Sequence, residues 1–84
     1  MRMTFIGNLR RNPGTQLAFL DLDNGISLLL TTNVDCQEAG FRQAFDWAAG
    51  HEGRVSLHGT AGTCGGNHVL FLSGLAGDDP TEPH

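Results

Sequence analysis

The chain has no lysine, no tyrosine, a single tryptophan, two cysteines and no long apolar run. Each shortage closes off a class of function. Without lysine there is no phosphate-binding glycine loop of the nucleoside-triphosphatase kind, which needs that ammonium group. Without lysine or tyrosine, the aromatic-plus-cation groove usual in general binders of single-stranded nucleic acid is thin. No stretch approaches the ~20 apolar residues of a membrane helix. The apolar start, Met3 to Leu9, is interrupted by Thr4, Gly7 and Asn8 and followed by Arg10, Arg11 and Asn12, so no signal-peptide core is expected. Cys36 and Cys64 could in principle pair, but without an export signal both are expected to stay thiols in a reducing compartment, and a soluble, cytoplasmic protein is expected. Nothing resembles a cofactor fingerprint, and no cofactor is expected.

What is present is 84 residues with 39% hydrophobic content and a net charge of -4, enough for one small acidic domain. The charge is unevenly placed. Residues 1–20 carry Arg2, Arg10 and Arg11 and no acid, the middle of the chain is acidic, and Asp78, Asp79 and Glu82 crowd the end. The sequence therefore divides into a folded part, 1–75, and an acidic tail, 76–84, too polar to fold.

Residues 3–10 alternate imperfectly around Gly7, as in a glycine-bent strand with Met3, Phe5, Gly7 and Leu9 on one side and Thr4, Ile6, Asn8 and Arg10 on the other, and the Asn12-Pro13-Gly14 turn ends it. Residues 16–22 and 26–32 are two apolar strands joined through Asn24-Gly25, a pair suited to a type I′ hairpin. Thr32 or Asn33 is placed to cap a helix over 34–49, with Asp35 as the acidic half of a capping box. Phe41, Ala44, Phe45 and Ala48 form its apolar stripe, Arg42, Gln43 and Asp46 face outward, and Gly40 weakens it by about 1 kcal/mol relative to alanine. Trp47, on the flank of the stripe, is expected to pack at the barrel edge. Residues 54–60 alternate cleanly, with Val55, Leu57 and Gly59 inward. Residues 61–67 read as a flexible glycine loop, and residues 68–75 as a final strand returning antiparallel.

Five antiparallel strands of this length bury themselves by closing on one another, with one helix between strands three and four plugging the open end. The glycine-bent first strand Phe5-Ile6-Gly7, the Asp23-Asn24-Gly25 hairpin, the helix, and the strand Val55 to Gly59 leading through a glycine loop into Val69 to Leu75 together resemble an OB-fold. The resemblance rests on element order and glycine placement. It implies ligand binding on the face of strands two and three and in the loops after strands one and four.

On that reading Arg10 and Arg11 stand where such a domain clamps phosphates, although adjacent arginines at a turn also serve solubility alone. With Ala18, Leu20 and Leu22 inward, the outward residues are Leu17, Phe19, Asp21, Ser27, Leu29 and Thr31. Phe19 is the one stacking ring there, and Asp21 lies beside it. Leu17, Phe19 and Leu29 would alternatively form an apolar patch for a protein partner or a second copy, unless loops cover it. His58 and His68 belong to the same candidate surface. With Cys64 between them they suggest metal ligation, but no Cys-x-x-Cys or His-x-x-x-His spacing supports a zinc site, and none is expected. Asp21 and Asp23 flank a turn, and Ser56 and His58 lack an orienting acid, so no enzyme is expected. The expectation is an OB-like binding module for single-stranded nucleic acid or a protein partner, or a small regulator acting through its acids.

Overall fold

The computed structural model describes residues 3–33 and 35–73. The expected acidic tail, with Asp78, Asp79 and Glu82, lies outside them. Five strands, β1 (Met3–Asn12), β2 (Leu17–Leu22), β3 (Ser27–Thr31), β4 (Gly53–Cys64) and β5 (Asn67–Leu72), close into a barrel in the order β1-β2-β3-β5-β4. The helix α1 (Glu38–Ala48) lies between β3 and β4 in sequence. This arrangement is consistent with an OB-like barrel. The sheet is mixed: β3 and β5 run parallel, with Leu29 opposite Val69, which corrects the all-antiparallel expectation. A parallel pair needs a crossover, and α1 with β4 supplies it.

Alternation selects the interior. Leu9, Ala18, Leu20, Leu28, Leu30, Leu57, Leu70 and Leu72 fill the barrel, and Ala44 and Ala48 of α1 join them. Those alanines are fully buried, and their small side chains let the helix sit close against β1, β2 and β3. Trp47 is partly buried and packs against the apolar core, and its ring stacks on His51 with centroids 4.3 Å apart.

The helix starts later than the sequence suggests, because the residues meant to cap it are engaged elsewhere. Asn33 Oδ1 accepts from the Asp35 N–H at 2.8 Å, and the Thr32 hydroxyl bonds Gln43 Oε1 at 2.8 Å. Gln37 is the N-cap and contributes no side-chain bond. Gly40 is a packing residue rather than a weak point. A Cβ there would lie 2.5 Å from Asn33 Cβ and 2.6 Å from Thr31 Oγ1, so only glycine lets the first turn of α1 rest on the end of β3.

Two turns also differ from expectation. At the β2–β3 hairpin Gly25 alone has positive φ, its N–H bonds the Leu22 carbonyl at 3.0 Å, and the Leu22 N–H bonds Ile26 O at 2.8 Å. This is a type I turn closed by a glycine bulge, not type I′. The expected flexible loop at 61–67 is ordered hairpin: β4 runs on to Cys64, and Gly65-Gly66, both left-handed, turn the chain directly into β5.

Candidate functional site

The outer face of β2 and β3 is not the open patch the sequence suggests. Phe19 pairs with Leu29, and Leu29 is buried to 9% exposure in a second apolar cluster with Cys64 and Val69. Leu17, Phe19, Cys36, Phe41 and Phe71 pack against that cluster, each partly buried. Thr31, expected to face outward, is fully buried. The cover comes from two segments distant in sequence, the lead-in to α1 and the tip of the β4–β5 hairpin. They are joined by a disulfide between Cys36 and Cys64, with Cα atoms 5.9 Å apart. The expectation of free thiols is overturned. Among the described residues no helix is long and apolar enough to cross a membrane.

Two hollows meet at Leu17 and together form a groove over this face. One, of about 350 Å³, has Leu17, Phe19 and Leu29 as its floor and Ser27, Gly66, Asn67 and His68 as its rim. The other, of about 250 Å³, is bounded by Thr15, Gln16, Leu17, Cys36, Glu38, Phe41 and Arg42. Its positioning follows from the chain. The Asn12 side chain accepts from the Gly14 N–H at 3.0 Å and fixes the β1–β2 turn, while the glycine turn of the β4–β5 hairpin carries Asn67 and His68 over β3. Ser27 of β3 and Asn67 and His68 of β5 lie just before the paired stretch that begins at Leu29 and Val69, so the groove opens where the two parallel strands part.

The arginines are already partnered. Arg10 lies opposite Phe19 across the β1–β2 pair, its guanidinium 4.7 Å from that ring, and its Nε and Nη2 bond the two Asp21 oxygens at 2.8 and 3.0 Å. Ser27 adds a hydroxyl bond to Asp21 at 2.6 Å. Arg11 points the other way, 2.8 Å from Glu52 and 4.6 Å from the Phe45 ring centroid. Arg54 binds Asp23 at 2.7 Å. Neither Arg10 nor Arg11 therefore presents an unpaired cation to a phosphate.

The Arg10 hydrogen bonds, helped by Ser27, hold the Asp21 carboxyl below its ordinary range, and the Asp21 bond raises Arg10. A carboxylate lowered in the folded state stabilises above its unfolded pKa of about 3.9, and that contribution is lost as pH falls through the lower folded value. The pair is a third to a half exposed, which limits it to about 1 kcal/mol or less. Urea unfolding of the wild type and of Asp21→Asn should differ by that amount at neutral pH, begin to converge as pH falls below about 3.9, and meet only below the lower folded value. A gap that persists in acid would place the effect outside the ion pair.

His58 and His68 are not brought together. His58 faces Thr4 of β1, whereas His68 faces Thr63 near the hairpin tip, so they stand at opposite ends of the β4–β5 pair. Among the described residues the buried Nε2 of His58 has no hydrogen-bond partner. Cys64 is bonded to Cys36 and is no ligand. Among the described residues no group of three or more histidines, cysteines or acids is placed to hold a metal ion. Sequence reasoning missed Cys36, Phe41, Phe71 and Asn67 as parts of this face, since only the fold brings the first and the last two against β2 and β3. No family model, no curated protein and no solved structure matches the chain.

Proposed function

We propose that the domain is a non-catalytic binding module whose groove over β2, β3 and the β4–β5 hairpin tip takes an apolar segment of a protein partner. The observation that carries this reading is the contrast between the floor and the charges: Leu17, Phe19 and Leu29 are apolar, while Arg10 is held by Asp21. Burial of a side chain on such a floor contributes about 1.5 to 3 kcal/mol, and Ser27, Asn67 and His68 at the rim offer hydrogen bonds that fix orientation. A phosphate backbone, by contrast, would first have to pull Arg10 from its carboxylate.

Single-stranded nucleic acid is the second reading, favoured by the juxtaposition of the Arg10 guanidinium with the Phe19 ring at the groove edge. The two separate in one experiment. Isotope-labelled protein is titrated with peptides selected from a random phage-displayed library and with mixed-sequence single-stranded DNA and RNA, at low and physiological salt. Peptides should shift the amides of Leu17, Phe19, Ser27, Leu29, Asn67 and His68 with little salt dependence, and Phe19→Ala should weaken them roughly tenfold or more. Shifts by nucleic acid at the same residues, steeply salt-dependent and lost in Arg10→Ala, would overturn the first reading in favour of the second.

A further inference from the structure

The disulfide is placed at the groove rather than in the barrel. Cys36 lines the smaller hollow and is half-buried, whereas Cys64 sits in the second cluster at 9% exposure. The bond links two parts of the groove that have little else in common. The backbone of α1 lies close to β1, β2 and β3 and not to β4 or β5, and near the hairpin tip α1 contributes Phe41, which packs on the second apolar cluster. Among the described residues no hydrogen bond or ion pair joins residues 35–42 to residues 62–68, so apolar packing in the second cluster is what remains without the bond. The tip itself is open: a Cβ added at Gly65 or Gly66 would meet nothing within 4 Å. Cys36 also stands at φ 59, a left-handed conformation that residues with a Cβ seldom take, held at one end by its N–H bond to Asn33 O at 3.2 Å and at the other by Cys64. The barrel interior is separate, with Leu9, Leu20 and Leu57 closed by hydrogen-bonded strands on either side.

We propose that Cys36–Cys64 is a thiol-exchange site, reduced in the folded protein by small dithiols, and that its reduction frees the β4–β5 hairpin tip and loosens the groove while the barrel stays intact. A dithiol thiolate attacks Cys36 Sγ from the hollow, and Cys64 leaves as a thiolate and takes a proton from water. The second thiolate of the reagent then attacks the mixed disulfide, releasing Cys36 as the second protein thiol and the reagent as a cyclic disulfide. Two electrons pass to the protein, and the dithiol is oxidised. The bearing on ligand affinity rests on the binding reading above, but the exchange and the loosening do not.

The test uses dithiothreitol on the folded, labelled full chain, with thiols counted by alkylation and mass spectrometry and the backbone followed by NMR and hydrogen exchange. Expected are two new thiols without denaturant, unchanged resonances at Leu9, Leu20 and Leu57, shifted amides in 35–42 and 62–68, and exchange at 62–68 faster by roughly tenfold or more. The double variant Cys36→Ser, Cys64→Ser should reproduce the reduced spectrum. Reduction that needs denaturant, collapse of the whole spectrum on reduction, or unchanged exchange at the hairpin tip would each overturn the proposal. Because the free protein is measured, failure here leaves peptide binding standing, and failure of peptide binding leaves this result standing.

Discussion

Leu57→Ala should lower the free energy of unfolding by about 3 kcal/mol or more, within the 2 to 5 of large-to-small core changes. Leu57 is fully buried, sits opposite Phe5 on β1, and points into a barrel whose end is closed by Ala44 and Ala48. The size of the effect depends on whether the neighbours can move into the space. Here they are fixed by hydrogen-bonded strands on both sides, and alanines cannot extend to fill a gap, so most of the cavity stays open. For a domain of this size, 1 kcal/mol moves the melting temperature by roughly 4–8 °C, so a fall of more than about 12 °C is expected by circular dichroism. A fall under about 5 °C would mean that the barrel collapses around the smaller side chain.

Gly59→Ala, two residues further along the same strand, should be comparably destructive for the opposite reason. A Cβ there would run into the carbonyl oxygen of Phe71 and lie 2.8 Å from Leu70 Cδ1. The first obstacle is backbone, which cannot swing aside as a side chain can, so β4 and β5 would have to part. Overpacking costs about 1–3 kcal/mol and more where backbone must shift, and about 3 kcal/mol is expected here. Gly50→Ala is the matched control, since nothing lies within 4 Å of its Cβ position. It should be neutral or stabilise by up to about 1 kcal/mol through the unfolded chain. Urea midpoints of the two variants should therefore move apart, and equal midpoints would refute the close approach of β4 to β5.

These two positions also show what the sequence makes legible. The alternation of residues 54–60 names Val55, Leu57 and Gly59 as the inward set, and all three do face the barrel. Period-two burial is a local property and survives into the structure. The helix stripe is equally readable, with Ala44, Phe45 and Ala48 buried and Arg42, Gln43 and Asp46 exposed. What fails to read is anything decided by distant segments. In β3 the run Leu28 to Thr31 is buried on both faces, and alternation has no means of showing that the outer face acquires a cover. That cover needs Cys36 and Cys64 to meet across 28 residues, a pairing a reducing-compartment assumption discards. Arg10 and Arg11 were recognisable as surface cations near the groove, but their engagement depends on register: Arg10 meets Asp21 because Asn8 stands opposite that acid. The parallel join of β3 to β5 was likewise invisible, since antiparallel return is the default for neighbouring strands.

That parallel join is one of two long-range seams that close the barrel, the other being β1 against β4. The β1–β2 and β2–β3 hairpins and the β4–β5 hairpin each close over short turns, on the microsecond scale of local hairpins. The Leu29–Val69 seam and the β1–β4 pairing instead join strands distant in sequence, so their loop-closure entropy is the larger and both are expected to follow the hairpins. The groove sits beside one of these two long-range seams, so its walls are expected to take their places with barrel closure rather than with the local hairpins.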